Sequence, residues 1–408
     1  MANSVKNSNM IVGLDIGTSK VVCIAGKYND EKKLEIIALG SYPSSGLRKG
    51  VVVNIDATTD AIAKAVEQAQ SMIEEKIKSV YVGIAGNHVK SLNSHGAEAI
   101  KDNEVSLADI DRVIESAQAV AIPSDQNLLH VLPQSFIIDG QEVSLDPLGM
   151  SGTRLETKVH LVTCANSAIK NIEKCIKNCG LNVDGFVLEQ LASSHSILSY
   201  DEKELGVCLV DIGGGTTDIA VFNSGSIVHT GVIPIAGDNV TNDIAQALRT
   251  PTPQAEDIKQ KHGCAVTEFT REDETVEVLA VGGRPPRELS RSALADIIQQ
   301  RYSELFGLVK TEISRNGFED KISAGIVFTG GTSKMEGVVE LAESIFQTSV
   351  RLGIPSEFKG METILQNPIY ATSIGLIEHG YKQINHEMLS EQSRGFFSKL
   401  LRIVKSEY

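Results

Sequence analysis

The chain has little that would support a zinc ribbon, a disulfide framework or a membrane span. Its six cysteines include no C-x-x-C pair and no Cys/His cluster with zinc-ligand spacing, so neither kind of site is predicted and we expect reduced, mostly buried thiols. No run of about 18 apolar residues occurs, so no bilayer-spanning helix is predicted. The N-terminal segment MANSVKNSNM lacks a charged region followed by an apolar core, so secretion is not expected.

An excess of positive charge is also missing. Lys plus Arg number 38 against 52 for Asp plus Glu, a net charge of −14, which argues against a partner held through nucleic-acid phosphates. What is present is an ordinary globular composition, with 42% hydrophobic and 22% charged residues. A length of 408 residues exceeds one hydrophobic core, which indicates about two to four domains.

The first part of the chain alternates β-rich runs with a helical period. An amphipathic helix is predicted over 58–78, with Thr58 and Thr59 available as caps. Hairpins followed by a β-α-β crossover predict a mixed sheet in an α/β domain. The predicted strands of this part are 11–14, 21–26, 34–40, 51–53 and 80–85.

From about Asn87 to Lys158 the sequence becomes short, polar pieces punctuated by Pro and Gly around one helix, 107–119. We interpret this region as an inserted α+β subdomain, which serves either recognition of a substrate or a structural or self-association role. The apolar run 159–165 is then expected to return to the main sheet. A helix over 166–179 and a strand over 183–188 follow.

One turn occurs twice. GLDIGTSKVVCIAG near the start and CLVDIGGGTTDIAVF at 208–222 each join two apolar strands through an Asp-Ile-Gly turn, which implies two similar halves. Such a turn aims backbone N–H groups at one point, and its glycines allow an anion to approach closely. Asp15 and Asp211 beside this cradle make sense as outer partners of a Mg²⁺ that neutralises a phosphate. Additional hydroxyl donors are Thr18, Ser19, Thr216 and Thr217.

A third glycine turn, FTGG at 328–331, follows another apolar strand. Its glycines would let a purine ring or ribose lie on the backbone, and Thr332 or Ser333 can cap the next helix. One such turn is weak support, because glycine-rich turns are common. Three in this order favour a nucleotide site between two halves.

These three motifs, with the connecting segments LEQLASS at 188–194 and YATSIGLI at 370–377, resemble the actin, Hsp70 and sugar-kinase superfamily. Within it, the chain is most similar to the FtsA family of bacterial cell-division proteins, from about Met10 to the C-terminus. The resemblance implies an α/β fold: actin-like, duplicated ribonuclease-H-like domains with an inserted α+β subdomain of the 1C or SHS2 type and a C-terminal amphipathic helix.

The resemblance also implies a division into subdomains. The polar segment 250–286, broken by PTP and GGRPP, independently suggests a second small subdomain. The expected boundaries are 1–85, 159–194 and 366–384 for subdomain 1A, 86–158 for the inserted subdomain 1C, 195–241 and 306–365 for 2A, 242–305 for 2B, 385–394 for a linker and 395–408 for a membrane-targeting helix.

Carried over residue by residue, the resemblance implies a site for ATP and Mg²⁺, with Asp15 and Asp211 at the metal and Glu189 as a further candidate catalytic residue. Glu189 stands where related ATPases orient the attacking water, although Glu189-Gln190 replaces their common Glu-Pro; a buried structural glutamate is the alternative. Lys20 either reaches a phosphate or is solvated. The nucleotide-binding candidates are Gly17, Thr18, Ser19, Lys20, Gly213, Gly214, Gly215, Thr216, Thr217, Gly237, Asp238, Arg301, Gly330, Gly331 and Thr332.

The segment GFFSKLLRIVK near the C-terminus has a helical amphipathic pattern. At about 100° per residue, its apolar residues fall in one arc and its basic residues in the other. This predicts a helix lying in a membrane interface, with about 1 kcal/mol from each basic residue at anionic headgroups; docking on the protein itself is the alternative. The membrane candidates are Phe396, Phe397, Lys399, Leu400, Leu401, Arg402, Val404 and Lys405.

The resemblance implies a filament-forming, peripheral protein on the cytoplasmic face of the inner membrane at the division septum. Its implied partners are the C-terminal peptide of the tubulin-like protein FtsZ, further copies of itself, anionic lipids and other division membrane proteins, with no nucleic acid. ATP is expected as a structural and regulatory ligand, hydrolysed slowly at most. The alternatives are an actin-like pilus-assembly ATPase, a soluble small-molecule kinase and an Hsp70-like chaperone.

Overall fold

A computed structural model of the chain describes residues 10–29, 31–143, 146–279 and 285–385. The predicted membrane-targeting helix and residues 386–394 of the predicted linker lie outside the described residues. In chain order, the described strands are β1 (Met10–Ile16), β2 (Lys20–Tyr28), β3 (Leu34–Pro43), β4 (Leu47–Arg48), β5 (Val51–Val52), β6 (Ser79–Ile84), β7 (Val89–Ala99), β8 (Gln126–Ile138), β9 (Gln141–Val143), β10 (Arg154–Ala165), β11 (Asn182–Leu188), β12 (Val207–Ile212), β13 (Thr217–Asn223), β14 (Ser226–Ile233), β15 (Thr275–Val278), β16 (Arg287–Ser290), β17 (Ile326–Thr329), β18 (Val350–Leu352) and β19 (Phe358–Lys359).

Helices cover these strands. They are α1 (Ile55–Gln70), α2 (Leu107–Gln118), α3 (Asn166–Asn178), α4 (Glu189–Ile197), α5 (Tyr200–Leu205), α6 (Gly237–Leu248), α7 (Thr252–His262), α8 (Arg291–Arg315), α9 (Val338–Phe346) and α10 (Glu362–Leu365). Residues 371–385 are also helical. No helix among the described residues is long and apolar enough to cross a bilayer.

The first sheet has six strands in the order β11-β6-β1-β2-β3-β19. Helix α1 packs on it so closely that a Cβ at Gly40 would lie 1.8 Å from the carbonyl oxygen of Ala65. The expectation that Thr58 or Thr59 caps this helix is wrong. Asn54 is the N-cap, because its side-chain oxygen precedes the first turn and accepts the N–H of Ala57 at 3.0 Å.

The insert forms its own four-stranded antiparallel sheet, β7-β10-β8-β9, with α2 against it. The expectation that 159–165 rejoins the main sheet is wrong. This run is the second half of β10, and it pairs with β7 and β8 over its whole length. The physical reason is that the strand begins earlier, at Arg154, and antiparallel pairing with two neighbours continues without a turn up to Ala165.

The second main sheet has five strands in the order β14-β13-β12-β17-β18. Its core continues into α8, whose buried side chains include Tyr302 and Phe306. The predicted duplication is visible in the pairing. Strand β1 lies between antiparallel β2 and parallel β6, and β12 lies between antiparallel β13 and parallel β17.

Two helices connect the halves and cross each other. A Cβ at Gly375, in helix 371–385, would lie 1.9 Å from the carbonyl oxygen of Ala192 in α4. A second contact between the halves comes from the insert. The side chains of Ser91, Asn93 and Gln134 donate hydrogen bonds at 3.0–3.2 Å to backbone carbonyls of the edge strand β14. The insert therefore contacts the second half directly.

Candidate functional site

A cavity of about 700 Å³ lies between the two halves. It is lined by the turns after β1, β12 and β17, together with residues of α7 and the start of α4. The structure thus brings the three glycine motifs to one place. The predicted residues that line it are Asp15, Gly17, Thr18, Ser19, Lys20, Glu189, Asp211, Gly213, Gly214, Gly215, Thr216, Gly330, Gly331 and Thr332.

The turn after β1 contacts the turn after β12. A Cβ built on Gly214 would lie 2.0 Å from the Oγ of Ser19. At Gly215 it would lie 2.6 Å from the Oγ1 of Thr18 and 3.0 Å from the backbone Cα of Lys49. Only glycine allows this approach, so the repeated motif supplies two facing backbone loops rather than two independent ones.

The third turn is joined to the second by hydrogen bonds. The hydroxyl of Thr332 donates to the carbonyl oxygen of Gly213 at 2.7 Å, and Tyr302 donates to the carbonyl oxygen of Thr332 at 2.8 Å. The expectation that Thr332 or Ser333 caps the next helix is wrong. Ser333 donates to Gly330 instead, and α9 begins after Gly337 without a side-chain cap.

The two aspartates of the repeated motif line the same cavity, and the charge of Asp211 acts on Asp15. Burial raises the pKa of Asp15 to about 6; Lys20 opposes this shift and the charge of Asp211 adds to it. Burial likewise raises the pKa of Asp211 to about 6, although Ser193 donates a hydrogen bond to it at 3.0 Å and Thr372 one at 3.4 Å. Two buried carboxyls that resist ionisation are the setting in which a divalent cation is stabilising.

Two further carboxyls complete this acidic cluster. Burial raises the pKa of Asp218 to about 7, and the Thr216 hydroxyl donates to it at 2.8 Å. Burial and the neighbouring aspartates raise the pKa of Glu189 well above its usual value. Gln190 donates to Asp218 at 3.3 Å, and a Cβ at Gly83 would lie 3.1 Å from the Cγ of Glu189. The Glu189 side chain thus packs so closely on Gly83 that it would have to shift by a few tenths of an ångström to admit a Cβ there.

Lys20 is the basic group at the acidic end of the cavity. Burial lowers its pKa, while the charge of Asp15 opposes that shift. Its Nζ lies 5.3 Å from the centroid of the Tyr370 ring. The sequence left open whether Lys20 reaches a phosphate or is solvated. In the structure, Lys20 lines the cavity.

The far end of the cavity is formed by residues that no motif signalled. Lys259 donates to the carbonyl oxygen of Gly237 at 3.2 Å and pairs with Glu256 at 2.7 Å. At the end of the same helix, a Cβ at Gly263 would lie 2.4 Å from the carbonyl oxygen of Lys259 and 2.8 Å from the Sδ of Met335. The lining residues that sequence reasoning did not single out include Asp218, Glu256, Lys259, Gly263, Tyr302, Lys334 and Met335; of these, only Asp218 lies within a motif quoted above.

Four predicted nucleotide-binding residues do not line the cavity: Thr217, Gly237, Asp238 and Arg301. Arg301 donates to both oxygens of Asp243, at 2.9 Å for Nη2, and also pairs with Glu304; its neighbour Tyr302 is the one that lines the cavity. Thr217 is buried and donates to the carbonyl oxygen of Ile235 at 2.8 Å. The physical reason is the geometry of the elements: successive side chains of a strand point to opposite faces, and successive side chains of a helix point in different directions around its axis.

Gly237 and Asp238 support the second turn from behind. Their N–H groups donate to the carbonyl oxygens of Gly213 at 3.1 Å and Gly214 at 2.8 Å. Within the described ranges, no group of three or more His, Cys, Asp or Glu could hold a metal ion on its own.

Solved structures share the fold. One is a PilM-PilN type IV pilus biogenesis complex, at 16% identity and a TM-score of 0.67, with 91% of this chain and 98% of that chain covered. Another is MreB5 of Spiroplasma citri bound to ADP, at 17% identity and a TM-score of 0.56, with 94% and 99% covered. At such low identity these matches show an actin-like fold and nothing about activity.

Sequence comparison is more specific. The family described as SHS2 domain inserted in FTSA matches residues 86–163, and that described as Cell division protein FtsA matches 208–375. The curated Cell division protein FtsA of Pseudomonas aeruginosa is 58% identical over 395 residues, 97% of this chain and 95% of that protein. Its Escherichia coli K12 counterpart is 44% identical over 378 residues, 91% and 90% of the two chains. The chain therefore belongs to the FtsA family of cell division proteins.

Proposed function

We propose that the cavity binds ATP with Mg²⁺ and that the bound nucleotide orders the two halves of an actin-like cell-division protein. The observation that carries this proposal is the contact of Gly214 and Gly215 with Ser19 and Thr18 at the mouth of one cavity. Backbone N–H groups from both turns can hold phosphate oxygens from opposite sides. A ligand held by both halves stabilises the arrangement in which they are closed.

The residues present fit a magnesium triphosphate. Asp15 and Asp211 are buried with raised pKa values, and a divalent cation would favour their ionised forms. Bound Mg²⁺ would neutralise charge on the phosphates next to these carboxylates. Lys20 would supply a further positive charge at the same end of the cavity.

Glu189 is our candidate for the residue that orients an attacking water. It lines the cavity, and its carboxyl can accept a proton because its pKa is raised. Its neighbour Gln190 is tied to Asp218 by a 3.3 Å hydrogen bond. Because Gln190 stands where related ATPases commonly have proline, we propose that any hydrolysis is slow and that ATP acts mainly as a structural and regulatory ligand.

Calorimetry tests the nucleotide proposal directly. The full chain should bind ATP in the presence of Mg²⁺ and bind it more weakly with EDTA. The variant D211N should keep its fold by circular dichroism and lose most of the Mg²⁺-dependent gain. If the chain retains no ATP at millimolar ligand, the nucleotide proposal fails.

We further propose that the protein polymerises and tethers FtsZ filaments to the cytoplasmic membrane at the septum. Membership of the family of cell division proteins supports this role, as does the cationic amphipathic pattern of 395–405. The proposed partners are the C-terminal FtsZ peptide, further copies of the chain, anionic lipids and other division membrane proteins. The proposed placement is peripheral.

Sedimentation with anionic vesicles tests the membrane part. Wild type should pellet with vesicles that contain phosphatidylglycerol, and the variant F396E/F397E should remain in the supernatant. The matched control is V53E/Y200E, which changes two apolar residues that are 64% and 73% exposed elsewhere on the surface. Equal pelleting of wild type and F396E/F397E would refute the proposed role of the tail. Electron microscopy of the ATP-bound chain on a lipid monolayer, with and without FtsZ, tests assembly and tethering.

A further inference from the structure

We propose that His130 of the insert is a positioning residue for the nucleotide site: it fixes the backbone that carries Glu189. This inference rests on the proposed role of Glu189 in ATP hydrolysis. The backbone N–H of Leu188 donates to Nε2 of His130 at 2.9 Å. Leu188 is the last residue of β11, and Glu189 is the first residue of α4.

The position of Leu188 explains why this hydrogen bond matters. Strand β11 is the edge of the six-stranded sheet, so part of its backbone N–H groups have no neighbouring strand to pair with. Helix α4 has no side-chain N-cap hydrogen bond. A partly buried N–H at this junction needs an acceptor, because leaving it unpaired is costly. The imidazole of His130 supplies that acceptor from another subdomain.

The other side of the connector is fixed by the sheet. A Cβ at Gly83 would lie 3.1 Å from the Cγ of Glu189, so the glutamate stem already contacts the backbone of β6. The His130 bond holds the residue immediately before Glu189. The backbone and the side chain of Glu189 are therefore restrained from two directions.

The protonation state of His130 is set by this geometry. A backbone N–H can only donate, so Nε2 is the acceptor and the proton of the neutral ring is on Nδ1. Burial, with His379 adding, lowers the pKa of His130 to about 3. The Nδ1 atom of His379 lies 3.5 Å from Nε2 of His195, and Nζ of Lys382 lies 3.1 Å from Nδ1 of His195. Burial, with a smaller contribution from His379, therefore keeps the His130 ring neutral.

The insert that carries His130 is itself anchored on the second half of the molecule. On the same sheet, His160 lies 3.0 Å from the hydroxyl of Thr230, and Asn93 donates to the carbonyl oxygen of Val228 at 3.2 Å. Both partners lie on β14. His130 therefore links the Leu188–Glu189 junction to a subdomain that is itself hydrogen-bonded to the second half of the molecule.

Two substitutions of His130 separate the hydrogen bond from the space that the ring fills. H130L removes the acceptor at similar size, whereas H130Q keeps an acceptor oxygen near the place of Nε2. Binding of ATP with Mg²⁺ by calorimetry and single-turnover phosphate release are measured for both. We expect H130L to lose roughly tenfold in the turnover rate with the ATP dissociation constant within about twofold of wild type, and H130Q to recover most of the rate.

The matched control is H95L, which removes another histidine of the insert, one that pairs with Glu156 on the surface. H95L should leave the turnover rate and the affinity for ATP unchanged. The variant E189Q serves as a reference for the turnover rate without the Glu189 carboxylate. The proposal is overturned if H130L turns over ATP at the wild-type rate, if H130L loses rate and affinity equally, or if wild type releases no more phosphate than E189Q. A wild type that does not bind ATP would instead overturn the proposed function of the cavity.

Discussion

Ser19 and Gly214 belong to different halves of the molecule, yet a Cβ built on residue 214 would lie only 2.0 Å from the Oγ of Ser19. The next glycine repeats the relationship, with Thr18 and the backbone of Lys49 around Gly215. The two copies of the motif thus form one interlocked pair of loops. The consequences of this contact can be measured.

Alanine at the two glycines should have unequal effects. G215A places a Cβ 3.0 Å from the backbone Cα of Lys49, which cannot rotate away, whereas in G214A the Ser19 hydroxyl can turn. We expect G215A to weaken ATP binding by tenfold or more and G214A by less, measured by calorimetry. The control is G307A in α8, where nothing lies within 4 Å of the added Cβ, and which should bind ATP normally. Equal affinities of G215A and wild type would contradict the arrangement.

The affinity for ATP with Mg²⁺ should fall as the pH is lowered from 8 to 5.5. Asp15 and Asp211 have pKa values raised to about 6, mainly by burial, so below that pH the cation must displace protons from them. Each displaced proton costs up to about tenfold in affinity per pH unit below the pKa. Calorimetry in buffers of different ionisation enthalpy counts the protons. D211N should bind more weakly with a shallower pH slope; an identical slope would contradict the assignment.

Without nucleotide, the neighbouring buried carboxyl of Asp218 should make stability depend on pH in the opposite direction. Because Asp218 has a folded-state pKa raised to about 7 by burial, the folded chain binds its proton more tightly than the unfolded chain. This contribution is fully present below the unfolded value of 3.8 and is lost as the pH rises through about 7. Chemical denaturation of wild type and D218N between pH 5 and 8 measures it. D218N should depend less on pH, and no difference between the two would contradict it.

The crossing of the connecting helices should not tolerate a methyl group. G375A places a Cβ 1.9 Å from the carbonyl oxygen of Ala192, and overpacking of this kind costs about 1–3 kcal/mol or more. That exceeds the gain of about 1 kcal/mol that alanine brings to a helix interior. We expect the Tm of G375A, measured by differential scanning calorimetry, to be several degrees below that of wild type. G307A, which has the helical gain without the clash, should be at least as stable as wild type.

Displacing Glu189 from the side of the sheet should affect turnover more than binding. G83A adds a Cβ 3.1 Å from the Cγ of Glu189 and 3.4 Å from its Oε1, so the carboxyl must shift by a few tenths of an ångström. We expect a lower rate of phosphate release with an ATP affinity close to wild type, because the glycine turns are unchanged. A loss of affinity equal to the loss of rate would show that Gly83 acts on the fold instead.

The parts of the fold that could be predicted from the sequence are those encoded in local patterns. Strands β1 and β2, like β12 and β13, are short apolar runs on either side of a glycine turn, and the repetition of this pair revealed the duplication. The helix start was missed at Asn54 because several residues there are suitable caps, and only the backbone path selects one. The end of the insert was placed too early, since an apolar strand of 159–165 carries no information about which sheet it joins.

The same distinction applies to the candidate site: some of its residues belong to local sequence motifs, and others reach the cavity only through tertiary packing. Asp15, Asp211 and the glycines could be identified because the motif holds them at fixed spacing. Lys259 and Glu256 could not, because they lie on α7 in a sequence with no distinguishing pattern and reach the cavity only when α7 packs beside α6. Arg301 and Tyr302 are adjacent on one helix, and the rotation of α8 decided that Tyr302 lines the cavity.

The sequence alone determined that two copies of an anion-binding turn exist, because the required glycines, carboxylates and hydroxyls are consecutive in the chain. It also determined the cationic amphipathic pattern near the C-terminus. Only the tertiary structure decided that Gly214 meets Ser19, that His130 accepts the N–H of Leu188 and that β10 belongs to the insert. The first two relationships join residues that are 195 and 58 positions apart, and all three depend on how whole sheets and helices pack, which no local spacing encodes.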